Sequence, residues 1–164
     1  MIVDLGCGGN KRGDIGIDAV AGPGVDYVVQ LGVETLPFGS DTVDRFEAHD
    51  FLEHLPVSIW LPKPQLIADG ESGWIIRRPR IFLLREIYRC LKPGGTFFSK
   101  TPGKLPEWAQ DPTHEAPPWV PETWDYFCGG YGDLPKQYGI DFAFELIERQ
   151  WDGAHLAVLV RKPQ

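Results

Sequence analysis

The 164-residue sequence has no long hydrophobic run and few cysteines. A membrane-spanning helix needs about 20 consecutive apolar residues, whereas the apolar runs here are fragments such as Ile81–Leu84. The first residues also lack the basic and apolar regions of a secretory signal peptide. The cysteines Cys7, Cys90 and Cys128 are widely spaced and odd in number, which indicates free thiols in a reducing compartment. We therefore expect a cytoplasmic protein without membrane contact or disulfide bonds.

Positive charge is also scarce. The net charge is −7, and residues 1–56 contain ten acids and three bases, whereas the rest of the chain has thirteen of each. An acidic surface repels the phosphate backbone, so we expect no nucleic-acid partner. The basic residues between Arg77 and Lys92 fit the solvated face of a helix and the loop before it.

The length and the 43% hydrophobic content suit one domain with a core, spanning residues 1–164. Short β-branched or apolar runs alternate with turn signals and predict strands at 1–5, 15–18, 25–29, 42–48, 96–100, 142–150 and 155–161. Helical spacing predicts a helix over 81–91, a second from Pro121 to Gly129, and a short one after Asp50. This order predicts an α/β fold with a mostly parallel seven-stranded sheet, covered faces and an antiparallel C-terminal hairpin.

A glycine-rich turn joins the first two strands, in the stretch VDLGCGGNKRGDIGID (residues 3–18). A dinucleotide fingerprint would have a third glycine, a helix behind the turn, and an acid about twenty residues on. Here Gly6 and Asp18 are only twelve positions apart, and no Gly-Lys-Ser/Thr of a phosphate loop follows. Taken alone, the turn is consistent with a nucleotide cradle or with ordinary turn chemistry.

Five motifs occur along the chain in a fixed order: DLGCG (4–8), GID (16–18), LPF (36–38), LEHL (52–55) and REIYRCLKPGG (85–95). In this order and approximate spacing the chain resembles the class I S-adenosylmethionine-dependent methyltransferases, in particular the small type-11-like branch with a short glycine loop. The resemblance implies a Rossmann-like domain with a reduced helix after the first strand. It also implies S-adenosyl-L-methionine as the cofactor and methyl transfer by direct displacement.

The resemblance also implies the cofactor-binding residues. The glycine turn would hold the methionine part, the end of the second strand the ribose, the end of the third strand the adenine, and the end of the fourth strand would close the pocket. These positions are Asp4, Gly6, Cys7, Gly8, Gly9, Asp18, Ala19, Gln30, Leu31, His49 and Asp50. Cys7 and His54 also fit packing roles, and His49 with Asp50 fits a surface turn and helix cap equally well.

The acceptor side of such a site would be built after the fifth strand, in QDPTHE (110–115). Asp111 and His114 are candidate catalytic residues there, for a general base that is needed only if the acceptor's proton is tightly held. A bracing role in the proline-rich loop fits these two residues slightly better than a catalytic one. We expect no metal, because no neighbouring histidines and acids have a recognised ligand spacing. The acceptor is expected to be a small molecule or a glycan.

Two other functions fit the sequence less well. One is a non-catalytic S-adenosylmethionine-binding or scaffold protein that lacks an acceptor site. The other is a Rossmann-type oxidoreductase, which the glycine-loop spacing disfavours.

Residues 57–80 are an apparent insertion of irregular structure, because Leu55 and Arg85 are thirty positions apart. Its tryptophans and isoleucines should cover either the core or the acceptor pocket, or form a contact in a homodimer. If the segment lies at the acceptor pocket or in a subunit contact, Arg77, Arg78 and Arg80 would face an anionic group.

Overall fold

The computed structural model describes residues 1–62, 73–103, 108–115 and 117–164. Within these ranges the strands are β1 (Ile2–Leu5), β2 (Ile15–Asp18), β3 (Tyr27–Val28), β4 (Val43–His49), β5 (Ile59–Pro62), β6 (Trp74–Arg77), β7 (Leu91–Pro102), β8 (Glu145–Trp151) and β9 (His155–Arg161). The helices are α1 (Pro79–Cys90) and α2 (Pro121–Asp125). Short 3₁₀ turns lie at Leu52–His54, Trp108–Gln110 and Leu134–Tyr138.

Seven strands form one sheet in the order β3-β2-β1-β4-β7-β9-β8. The pairs from β3 to β7 are parallel, whereas β9 runs antiparallel to both β7 and β8. This architecture confirms the predicted mostly parallel sheet with an antiparallel C-terminal hairpin. The strand order changes direction beside β1, and open α/β sheets bind ligands outside the carboxyl ends of their strands at such a point.

The connection between β1 and β2 contains no helix, as the short glycine loop predicted. Polar side chains hold this loop against the sheet instead. The Arg12 amide donates to Oδ2 of Asp4 at 2.7 Å, and the Ile2 amide donates to Oδ2 of Asp14 at 2.8 Å. The connection from β1 to β2 is therefore short, and Asp18 at the end of β2 lies close to the glycines of the loop.

The two faces of the sheet differ in how well they are covered. One face carries Phe46 and Phe97, which are fully buried in the same cluster as Leu84 of α1. The opposite face carries Glu47 and Phe98, which are partners in register and only partly buried. The predicted cover is therefore complete on one face and partial on the other. Among the described residues no helix follows β1 or β2, and the described helices pack on one face.

Residues 57–80 are not irregular where the structure describes them, because β5 and β6 pair as antiparallel strands, with Ile59 opposite Arg77. The alternation along these strands places Trp60, Trp74 and Ile76 on the outer side, where they are exposed. These three side chains therefore do not cover the core, and a contact in a homodimer stays a prediction for them. Residues 63–72 of the predicted insertion lie outside the described part.

The three arginines of this segment contact the protein's own backbone rather than facing an open anion site. Arg77 donates to the carbonyl of Val33 at 2.6 Å, and Arg78 donates to that of Tyr138 at 3.4 Å. Arg80 donates to three carbonyls. The predicted orientation toward an anionic group is therefore corrected.

Some element bounds also differ from the prediction. The third strand pairs over two residues only, at the edge of the sheet. Helix α1 begins two residues early, with Pro79 at its first position, where the missing amide proton costs nothing. Strand β7 is longer than predicted because it pairs on both sides, with β4 and β9. No helix within the described residues is long and apolar enough to cross a membrane.

Candidate functional site

A cavity of ≈ 440 Å³ opens at the carboxyl ends of β1, β2 and β4. The first two strands and β4 contribute the polar end, since Gly6 follows β1, Asp18 ends β2 and Asp50 follows β4. The cavity is within the size range of small-molecule sites. It is lined by Gly6, Asp18, Ala19, Gln30, Leu31, Val33, Asp50, Phe51, His54, Leu55, Pro56, Ile59 and Pro79.

The glycine loop fixes the acid at the end of β2. Gly6 and Gly8 have φ angles of 66° and 52°, in the left-handed region that favours glycine. A Cβ on Gly6 would clash with the Phe51 ring, so only glycine fits there. The Gly8 amide donates to Oδ2 of Asp18 at 2.9 Å, and the Val20 amide donates to Oδ1 at 3.1 Å. Each Asp18 oxygen keeps a lone pair for a ligand hydroxyl group.

Six of the eleven predicted cofactor residues line the cavity: Gly6, Asp18, Ala19, Gln30, Leu31 and Asp50. Asp4 and Cys7 lie buried behind the loop, and Gly8 and Gly9 are exposed at its tip. Burial raises the pKa of both Asp4 and Cys7. His49 lies on the less covered sheet face, with Nε2 3.2 Å from Oε2 of Glu47. These five positions lie outside the set of residues that line the cavity, and their contact with a cofactor stays a prediction.

The cavity also has an apolar wall that the sequence did not predict. The wall is built from the turn after β3, from β5 and from the start of α1, by Leu31, Val33, Ile59 and Pro79. Gly32, with φ of 84°, allows the chain to approach α1, because a Cβ there would lie 2.7 Å from Pro79. A sequence signal for this contact was weak, since β5 and α1 are remote in the chain from Leu31.

Asp50 occupies a strained backbone position at the mouth of the cavity. Its φ of 51° is rare for a residue other than glycine, and its amide donates to the carbonyl of Lys100 at 2.9 Å. Left-handed residues of this kind occur preferentially at functional sites. The position holds the Asp50 carboxylate beside the ligand space.

The LEHL and DPTH motifs meet beside this cavity. His54 and His114 have ring centroids 4.8 Å apart, and Nε2 of His114 is 4.0 Å from Oε1 of Glu53 and 3.8 Å from Oδ2 of Asp111. His54 also lines the cavity, so its role extends beyond the packing considered from the sequence. We call Glu53, His54, Asp111 and His114 the histidine cluster.

Glu53 is the member of the histidine cluster that the sequence did not identify as a site residue. Its side chain is fully buried, and neither carboxylate oxygen has a hydrogen-bond partner among the described residues. Burial raises its pKa to about 7. By contrast, hydrogen bonds from Thr113 lower the pKa of the exposed Asp111. The two carboxyl groups therefore differ in how readily they release a proton.

Comparison with solved structures identifies the fold. It is the fold of S-adenosylmethionine-dependent methyltransferases. A methyltransferase of this kind from Archaeoglobus fulgidus has 15% identity and a TM-score of 0.58, and the match covers 98% of this chain and 85% of that one. One from Methanosarcina mazei has 14% identity, 99% and 92% coverage, and a TM-score of 0.52.

A further match comes from a Haloferax volcanii complex of the Trm112 methyltransferase activator with a proposed methyltransferase. It has 15% identity and a TM-score of 0.60, and covers 99% of this chain and 82% of that chain. No protein-family model and no curated protein sequence matches this chain. At these identities the similarity establishes the shared fold alone and does not identify the ligand-binding residues of this chain.

Proposed function

We propose that this chain is an S-adenosylmethionine-dependent methyltransferase. The observation that supports this most strongly is the charge of the cavity. Among the described residues that line it, Asp18 and Asp50 are acidic and none is a lysine or arginine. S-adenosylmethionine carries a sulfonium and an ammonium group, which acids stabilise, whereas the pyrophosphate of a dinucleotide requires donors or positive charge.

The positions of the lining residues suggest an orientation for the cofactor. The Asp18 carboxylate, fixed by the Gly8 and Val20 amides, would accept hydrogen bonds from the ribose hydroxyls. The apolar wall formed by Leu31, Val33, Ile59 and Pro79 would pack against the adenine. Gly6 would allow the methionine part to approach the backbone closely. When bound, the cofactor supplies an activated methyl group.

The protein's contribution to the reaction is then alignment and exclusion of water. An acceptor atom attacks the methyl carbon in line as the carbon–sulfur bond breaks, and S-adenosylhomocysteine leaves. We propose that the acceptor approaches from the side of the histidine cluster, since His54 belongs to both the cluster and the cavity. Asp111 and His114 would then act on the acceptor side through His54, as positioning residues.

We infer the class of methyl acceptor from the distribution of charge along the chain. Residues 1–56 carry the whole net negative charge, which disfavours a nucleic acid and is compatible with a small molecule or a glycan. Incubation with methyl-labelled S-adenosylmethionine and separate pools of metabolites, glycans and nucleic acids tests this. Label should enter the metabolite or glycan pool. Label in nucleic acid would contradict the acceptor class, and cofactor binding without transfer to any pool would favour a non-catalytic binding protein.

A further inference from the structure

The histidine cluster contains a buried carboxylate that the protein leaves without a partner. Glu53 is fully buried, neither of its oxygens accepts a hydrogen bond from the described residues, and Oε1 points toward Nε2 of His114 at 4.0 Å. A buried, unpaired carboxylate is costly unless a cation or donor satisfies it. The nearby Arg80 does not do so, because its guanidinium donates to the carbonyls of Leu55, Glu115 and Pro117.

Both histidines of the cluster have one ring nitrogen held by an oxygen. Nδ1 of His114 is 2.6 Å from the carbonyl of Trp108, which can only accept, so Nδ1 carries the proton. Nδ1 of His54 is 2.9 Å from Oγ1 of Thr113, and that hydroxyl donates its own proton to Asp111 at 2.6 Å. His54 therefore also donates through Nδ1. In both rings this leaves Nε2 with a free lone pair.

Histidines that bind metal ions commonly show this arrangement, with one nitrogen donating to a protein oxygen and the other bound to the metal. We propose that Glu53, His54 and His114 form a binding site for a divalent first-row transition metal ion, with Asp111 at its edge. One ligand atom from each of the three residues lies within 4.8 Å of the other two. Donor atoms around a tetrahedral zinc ion are about 3.4 Å apart, so small side-chain rotations would close the site.

The ligand set selects the class of metal. Two imidazoles and one carboxylate suit zinc, iron or cobalt, whereas magnesium and calcium prefer oxygen ligands alone. Three protein ligands leave at least one coordination position open, as in catalytic zinc sites. Because His54 also lines the cavity, a bound ion would lie at the cavity wall. This inference reverses the expectation from ligand spacing, and it stands on the cluster without depending on the proposed methyl transfer.

The test is equilibrium dialysis of the tag-free full chain against Zn²⁺, with metal analysis, and titration with Co²⁺ followed by visible absorption. We expect one ion per chain in the wild type and in the control His155→Ala, whose histidine lies outside the cluster. His54→Ala, His114→Ala and Glu53→Gln should lose stoichiometric binding. Thr113→Val, which removes the acceptor for His54, should weaken binding by about 10- to 100-fold.

A second measurement on the wild type keeps the proposal testable if a variant does not fold. In ¹⁵N spectra of the four histidine rings, Zn²⁺ should shift Nε2 of His54 and His114 and leave His49 and His155 unchanged. Several results would overturn the proposal: the absence of stoichiometric binding, undiminished binding in folded His114→Ala, shifts at the other two histidines, or Co²⁺ charge-transfer bands of a cysteine thiolate.

Discussion

Asp18 is the residue that most directly connects the fold with the proposed cofactor. Two backbone amides orient its carboxylate, and it lines the cavity. Asp18→Ala should weaken S-adenosylhomocysteine binding by about 10- to 100-fold, because hydrogen bonds to a charged acceptor are lost. Isothermal titration calorimetry measures this. The control Asp133→Ala removes an exposed acid that contacts Lys136, and it should bind normally. Unchanged affinity in Asp18→Ala would disprove the ribose assignment.

The tip of the glycine loop offers a matched pair of substitutions. A methyl group added at either Gly8 or Gly9 would meet no atom within 4 Å, but only Gly8 has a φ in the left-handed region, at 52°. Gly8→Ala should lower the free energy of unfolding by about 1 kcal/mol because an L-residue is strained there, while Gly9→Ala should change it little. Urea denaturation compares the two variants. Equal effects would show that the loop does not require this backbone conformation.

The cysteines give a prediction about pH. Burial raises the pKa of Cys90 and Cys128 to about 11 each. At pH 8 only about one such thiol in a thousand is a thiolate, compared with roughly a quarter for an unperturbed cysteine. Both thiols should therefore react with a disulfide reagent more than about 100-fold more slowly in the native protein than in urea. The native rate should rise as the pH approaches 11. Equal native and unfolded rates would contradict the burial of these thiols.

At the scale of the elements, Arg80 connects α1 to the two segments that carry the histidine cluster. It donates at 2.8 Å to the carbonyl of Leu55, the last residue of the LEHL motif, and to those of Glu115 and Pro117, after the DPTH motif. Arg80→Met should cost roughly 2–4 kcal/mol of unfolding free energy, because these carbonyls lose their donor. Arg78→Met, on the same segment with one long contact to Tyr138, should cost less than about 0.5 kcal/mol. Similar values for both variants would exclude this connecting role.

Features formed by residues close together in the chain could be predicted from the sequence, whereas contacts between distant segments could not. Strand β9 was predicted at its observed bounds, because a hairpin turn marks its start: Asp152 accepts from the amides of Ala154 and His155. The glycine loop and Asp18 were predicted because they are neighbours in the chain. Glu53 was not predicted as a site residue because His114, which lies beside it in the structure, is about sixty positions away in the chain. Only the packing of the 3₁₀ turn against the later loop brings them together, and local patterns do not encode that contact.

The partly covered sheet face has a similar explanation. The alternation of buried and exposed side chains along β4 predicts a strand, but it does not tell how many helices cover each side. The short connection from β1 to β2 provides the answer, since the structure describes no helix there. For the same reason the sequence could suggest a packing role for Cys7 on the loop, whereas it could not predict the burial of the Asp4 carboxylate in β1.

For the whole molecule, the central claim is that an acidic cavity at the switch point of the sheet binds S-adenosylmethionine and not a dinucleotide. Calorimetric titration of the folded chain with S-adenosylhomocysteine, and separately with NAD, tests it most directly. We predict one S-adenosylhomocysteine bound per chain and no binding of NAD, because no helix N-terminus follows the glycine loop and no lysine or arginine is among the described residues that line the cavity. Binding of NAD, or no binding of S-adenosylhomocysteine by protein shown to be folded, would contradict the account.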